Sequence, residues 1–519
     1  MSVQSSRAEA LATLRRGDPW DVLIIGGGAT GLGAAVDAAS RGYRTLLIEA
    51  RDFASGTSSR STKLIHGGVR YLRQGDLGLV RNALRERSHL LKNAAHLVHP
   101  LAFIIPAWST VDRLFYAAAL KLYDTLSGWH NLDASNRLDK QEMLAALPGL
   151  RSDGLCGGIR YWDGQFDDAR LAVTLMRTAT DLGAICLNYV PATQLIKVKG
   201  RVIGAWANDS ESGEGFELHA KVVINATGVH ADSVRRLDDP NSAPLLTPSQ
   251  GIHLVFDASF LPGNQALLVP KTEDGRVMFA IPWQGKVLFG TTDTPRPDLQ
   301  LLQDPQPLAE EVDFLLRTAA GVLTRPPKHE DIRSAFAGLR PLVHPENDSG
   351  KKSTAALSRE HAILVSDSGL ITVTGGKWTT YRLMGEQVID RAATVAGLHA
   401  TPCQTKSLKL HGCPAQASSD VYGTDSPMLS MMPGQNQHLH PALPYSEAMV
   451  RFAIRYESAR TIEDVLARRT RALFLDATAA DASITRVAEI FVEELNPPAN
   501  RLTEMIKVAR DSARRFMLS

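Results

Sequence analysis

The chain has 519 residues, 44% of them hydrophobic and 22% charged, with a formal net charge of +2. This is an ordinary globular composition with ample core, long enough for about two or three folding units of roughly 150 residues, and it carries no basic excess for nucleic acid. The four cysteines (Cys156, Cys186, Cys403 and Cys413) form no CxxC pair, which argues against a zinc site or disulfide framework and suits a reducing compartment.

In chain order, the first twenty residues lack the apolar core of a secretion signal, and Glu9 and Asp18 fit a transit peptide poorly. Asp21–Ala35 then reads DVLIIGGGATGLGAA: an apolar strand, Gly26-x-Gly28-x-x-Gly31, and small residues suited to a helix lying close on that strand. Gly26 permits a tight turn, Gly28 lets backbone approach a pyrophosphate, and Gly31 lets helix and strand touch. The pattern predicts a helix to about Ser40, stopped by Gly42. A second apolar run, Thr45–Ile48, ends at Glu49, eighteen residues after Gly31, where an acid can accept a hydrogen bond from a ribose. Together these predict a dinucleotide held over the helix N-terminus.

Gly56–Leu72, GTSSRSTKLIHGGVRYL, gathers hydroxyl residues, glycines and the basic side chains Arg60, Lys63, His66 and Arg70 into a loop expected to lie over that dinucleotide. Leu101–Leu126 contains Asp112, Arg113, Lys121 and Asp124, too many charges to cross a bilayer. Its aromatics and leucines beside basic residues suit a helix lying on a bilayer, or ordinary core packing. Asp167 and Asp168 lack further ligands at metal spacing, so ion pairing is expected and no metal site. Lys221–Gly228, KVVINATG, reads as a strand and small-residue turn, and Gly369–Arg382, GLITVTGGKWTTYR, as strand, Gly-Gly turn and helix start. Two further turns of this kind suit FAD better than NAD.

Between them, HLVFD, ALLVP, RVMFAIPW and KVLFGTTD alternate with turn residues as antiparallel strands do. Cys413–Pro441 reads as a polar loop, and helical spacing returns from Tyr445. The expected class is α/β: a Rossmann-like FAD-binding domain with an inserted antiparallel-sheet substrate domain and a C-terminal helical cap. Residues 17–400 form the discontinuous FAD-binding domain with insertions at about 72–165 and 236–330, 401–444 a linker, and 445–519 the cap.

IIGGGATG, GTSSRSTKLIHGGVRYL, YWDGQFDDAR, VINATG, PSQGIHLV, PWQGKVLFGTTDTP, AGLRPLV and TGGKWTTYR together carry a resemblance. Over roughly Asp21–Arg382, and more weakly at Leu466–Asp476, the chain resembles the FAD-dependent glycerol-3-phosphate dehydrogenases of the mitochondrial type. No EF-hand run follows the cap, so calcium regulation is not expected. His230 stands after NATG where many relatives have a proline.

The resemblance implies oxidation of sn-glycerol 3-phosphate to dihydroxyacetone phosphate, with FAD as cofactor and a membrane quinone as electron acceptor. An oxygen-using oxidase and a flavoprotein without turnover are the alternatives. It also implies peripheral attachment to the inner face of the cytoplasmic membrane, and leaves homo-oligomer formation open. Residue by residue, it implies Arg340 and Arg359 on the substrate phosphate, with Arg70 and Tyr71 positioning the substrate. His253 is the favoured base, its ordinary pKa lying near working pH. Lys377 is expected beside the flavin, or as the base if burial lowers its pKa. The cofactor contacts implied are Gly26, Gly28, Gly31, Glu49, Thr57, Ser58, Lys63, Gly67, Gly68, Gly228, Gly376, Lys377 and Thr379.

Overall fold

A computed structural model of the protein describes residues 6–69, 76–296, 304–343, 361–416 and 420–518. Two sheets organise it. In the first, the strands run in the order His361–Val365, Ile371–Gly375, Gly215–Asn225, Trp20–Ile25, Thr45–Ile48, Ile185–Leu187, all parallel except the first. A parallel strand is covered on both faces, so its sequence runs apolar without alternation. Val22 and Ile24 pack toward the cluster containing helices Ala29–Ser40 and Tyr381–Ala396, whereas Leu23 and Ile25 join the opposite cluster with the N-terminal helix Arg7–Arg15. The helix after the glycine fingerprint ends at Ser40, and Gly42 adopts φ +84° behind it.

The second sheet is formed mainly by Val98–Ala107, Gly157–Phe166, Leu246–Asp257, Met278–Trp283, Lys286–Gly290 and Ser334–Val343. It is antiparallel except where Ala266–Val269 runs parallel to Val98–Ala107, so the inserted sheet is mixed rather than wholly antiparallel. Leu246–Asp257 alternates cleanly: Ile252, Leu254 and Phe256 face one apolar cluster, and His253 and Val255 the other. Helices Lys140–Ala146 and Ala309–Val322 contribute to the first of these clusters.

The second face receives the C-terminal helices Glu447–Tyr456, Ala477–Leu495 and Ala499–Phe516. From them an aromatic column descends onto the sheet: Phe516 meets Phe474 at 4.8 Å, Phe474 meets Phe336 at 4.7 Å, and Phe336 stacks on His253 at 5.0 Å. The cap is also tied down by buried charge. Asp52, just past Glu49, accepts hydrogen bonds from Arg468 and Arg469, and Arg471 donates to Ser59 O at 2.7 Å. The stretch expected to be a plain polar linker is partly ordered: Ser426–Ser430 is a short helix, and Tyr422, Leu429 and Met432 share a core with Ala448 and Phe452. Interspersed apolar residues, diluted by Ser, Gly and Gln, hid that core from a reading by composition.

Candidate active site

The dinucleotide cradle follows from the glycines. Gly26 sits at φ +113°, and a Cβ there would lie 2.6 Å from Ala226 O. A Cβ on Gly31 would lie 1.9 Å from Gly26 O, so only glycine lets the helix start against the turn. Gly31→Ala is therefore expected to cost about 1–3 kcal/mol through overpacking and to leave the purified protein without bound dinucleotide, checked by its cofactor absorbance. The N-cap Gly28 offers no side-chain cap, Ala29 N donates to Ser58 Oγ at 2.9 Å, and Gly28, Ala29 and Thr30 line a cavity of about 1860 Å³. Backbone amides at such an end, with the helix dipole, favour pyrophosphate. Glu49 lines the same cavity. Its carboxylate accepts from Gly27 N at 2.6 Å and Arg51 N at 2.8 Å, while burial lifts its pKa.

The far wall comes from the second glycine turn. Gly376 has φ +77°, and a Cβ there would meet Met384 Sδ at 2.4 Å. Lys377 follows at the start of the short turn Trp378–Thr380 and faces the cavity. Thr379 Oγ1 exchanges hydrogen bonds with His66 N and O, joining this turn to the loop around residue 66. Thr57, Ser58, Gly68 and Gly228 also line the cavity. The glycine turns and the helix end on the cavity wall fit a long dinucleotide.

His253 and Arg340 enter the same cavity from the second sheet. His253 is 2% exposed, with Nε2 3.0 Å from Thr62 Oγ1. A Cβ on Gly290, its partner across the sheet, would lie 2.3 Å from its Cδ2, so that glycine makes room for the ring. Burial first, then the charges of Lys63 and Arg340, hold the imidazole pKa well below its usual value. A neutral ring can take a proton at neutral pH. Arg340 Nη1 donates to Gln250 O and Asp293, and Nη2 to Thr291 Oγ1 and Thr292 O. Gly251 leaves space for it, since a Cβ would fall 2.3 Å from Nη2. The guanidinium is thus a charge fixed in place beside His253.

Three expected cofactor contacts lie off the cavity wall. Gly31 serves packing instead. Gly67 N donates to Tyr123 Oη at 2.9 Å, and a Cβ there would meet that oxygen at 2.4 Å. Lys63 turns inward: its side chain is wholly buried, with Nζ 2.6 Å from Asp168 Oδ2 and 2.7 Å from Ser59 O. Its aliphatic stem and the enclosing rings of Trp283, Phe336 and Phe474 draw it from solvent, and burial lowers its pKa to about 7. Asp168 thereby takes an ion-pair role, while Asp167 caps helix Asp168–Asp181. Arg70, Tyr71 and Arg359 lie outside the described residues. Thr62, Thr291 and Asp293 carry no sequence signal beyond belonging to the quoted motifs, yet they hold His253 and Arg340. His230 also lines the cavity. Among the described residues no His/Cys/Asp/Glu group could hold a metal.

Comparison with known proteins bears on this arrangement. A family profile described as FAD dependent oxidoreductase matches residues 21–382, and one described as the C-terminal domain of alpha-glycerophosphate oxidase matches residues 373–501. The chain is 39% identical over 547 residues to the mitochondrial glycerol-3-phosphate dehydrogenase of Mus musculus, spanning 97% of this chain and 74% of that protein. The structure of the glycerol-3-phosphate dehydrogenase from Bacillus halodurans, complexed with FAD, aligns with TM-score 0.78 and 29% identity over 100% of this chain and 99% of that one. The FAD-bound L-alpha-glycerophosphate oxidase from Mycoplasma pneumoniae shares the fold, with TM-score 0.57 and 18% identity over 75% of this chain and 97% of that one.

Proposed function

Because the chain belongs to the family of FAD-dependent glycerol-3-phosphate dehydrogenases, we propose that it oxidises sn-glycerol 3-phosphate to dihydroxyacetone phosphate and passes the electrons to a membrane quinone. One observation carries the reading: a single cavity joins the dinucleotide cradle to His253 and Arg340. Bound FAD supplies the hydride acceptor. His253, neutral and buried, receives the proton of the substrate's secondary hydroxyl. Arg340, with Arg359, meets the phosphate, for which guanidinium geometry is suited. Arg70 and Tyr71 position the substrate, and Lys377 places a cation at the flavin end. The test is anaerobic: glycerol 3-phosphate added to the holoenzyme bleaches the flavin band, and a yellow protein that keeps its colour overturns the substrate assignment.

The acceptor and membrane readings have their own support. Part of the cavity is apolar, walled by Phe103, Tyr116, Leu122, Val277 and Phe279, which suits a quinone ring better than a polar acceptor. Helix Thr110–Ser127 buries Ala117, Leu120 and Tyr123 but exposes Val111, Leu114, Phe115 and Leu122 along a second stripe. Trp108 and Trp129 flank it, also exposed. No helix among the described residues is long and apolar enough to cross a membrane, whereas a helix with an outward apolar stripe can lie in the interface. We assign this stripe to the inner face of the cytoplasmic membrane. Each large apolar side chain taken from water contributes about 1.5–3 kcal/mol, so the double change Val111→Glu, Leu114→Glu, at two stripe residues off the cavity wall, is expected to weaken liposome co-sedimentation at least about tenfold while flavin bleaching persists. Peroxide production without quinone would favour an oxidase instead.

A further inference from the structure

The loop bearing Thr62 is unusually well staked. Ser61 donates to Asp168 Oδ2 through both N and Oγ, at 3.0 and 2.7 Å, and Lys63 Nζ reaches the same oxygen at 2.6 Å. Ser59 O accepts from Lys63 and from Arg471 of the cap, each at 2.7 Å. Lys63 also holds φ +63°, a left-handed backbone that a non-glycine residue adopts only when its surroundings enforce it. Both neighbours of Thr62 are therefore fixed to buried charge, while Thr62 itself lines the cavity and meets His253 Nε2 at 3.0 Å.

Nε2 is the ring nitrogen of the imidazole with a hydrogen-bonding partner. Its Nδ1 is buried and, among the described residues, has no hydrogen-bond partner. Phe336 covers one ring face at 5.0 Å with an interplanar angle of 16°, and Gly290 packs against the Cδ2 edge. In the tautomer that carries its proton on Nδ1, the in-plane lone pair of Nε2 points at Thr62, and a hydroxyl in the cavity reaches it through the threonine oxygen.

We propose that Thr62 relays the substrate's hydroxyl proton to His253. The substrate O–H gives its proton to Thr62 Oγ1 as the Thr62 hydroxyl gives its own to His253 Nε2, while the carbon-bound hydride leaves for FAD. The products are the ketone, a neutral threonine, an imidazolium and, on the flavin side, the hydride with its negative charge, so charge and atoms balance. The threonine hydroxyl can donate on one side and accept on the other, which a methyl group in its place cannot. The proposal rests on His253 being the base, and its test separates the two.

The experiment compares Thr62→Val, Thr62→Ser and His253→Ala as holoenzymes, with flavin spectrum and thermal melting recorded for each. Valine keeps the shape and removes the hydroxyl; serine keeps the hydroxyl. Thr62→Val is expected to bleach about 10²-fold more slowly with the flavin still bound and KM within about threefold, while Thr62→Ser stays within about fivefold of the parent. The proton inventory of the parent's bleaching rate in mixed H2O and D2O is expected to curve, because two protons move together. A Thr62→Val rate within about threefold of the parent, with His253→Ala slow, overturns the relay and leaves His253 as a direct base. Thr62→Ser as slow as Thr62→Val, or a linear inventory, also overturns it. A His253→Ala enzyme at the parent rate removes the base and the relay together.

Discussion

His253→Ala is expected to lower kcat by about 10²–10⁴-fold, the span that a positioned general base contributes. The effect should fall on the flavin-bleaching step and leave FAD bound, because His253 stands on the second sheet and the cradle glycines on the first. The pH dependence adds a signature. Burial, Lys63 and Arg340 all press the imidazole toward its neutral form, so its pKa lies well below the ordinary value. A base must be unprotonated, so kcat/KM stays level as pH falls through the usual histidine range and drops only in more acid solution. In His253→Ala that acid limb should vanish. A parent-like rate and profile in the variant would move the role to Lys377 or to water.

Arg340→Ala is the second large effect. Losing a charge-assisted contact to the substrate phosphate costs about 1.5–3 kcal/mol, so KM should rise about 10–150-fold by that amount, read from initial rates against glycerol 3-phosphate. The same change removes one of the charges that depress His253. The imidazole pKa then rises, and the acid limb of kcat/KM moves to higher pH. Asp293 would also lose its cation at 3.2 Å. An unchanged KM would take Arg340 out of the phosphate site, whereas a shifted acid limb alone would keep it as a neighbour of His253.

Much of this was legible from residues alone, for a physical reason. The glycine fingerprint works through backbone that no side chain could replace, so Gly26, Gly28 and Gly31 announce their geometry in sequence. The apolar run around His253 read as a strand in sequence, but the face its imidazole takes became legible only in the structure, where the ring stacks on Phe336. Thr62 and Lys63 show what stays hidden. Adjacent in one loop, they read as equivalent small and basic loop residues, yet one opens onto the cavity and the other is sealed beneath aromatic rings from Trp283, Phe336 and Phe474. Their partners lie more than a hundred residues away, at Asp168 and His253. The ordered core around Tyr422 escaped for the same reason: its apolar residues find each other only after the chain has folded back.

The aromatic column from Phe516 through Phe474 and Phe336 to His253 bears on how the protein comes into being. A ribosome delivers Gly26–Gly31 long before Phe474 and Phe516. Phe336 can reach His253 within the second sheet before then, while Phe474, the ring that backs it, arrives only afterwards. The seat of the base is therefore completed late, and Asp52 behind Glu49 waits for the same late segment to supply Arg468 and Arg469.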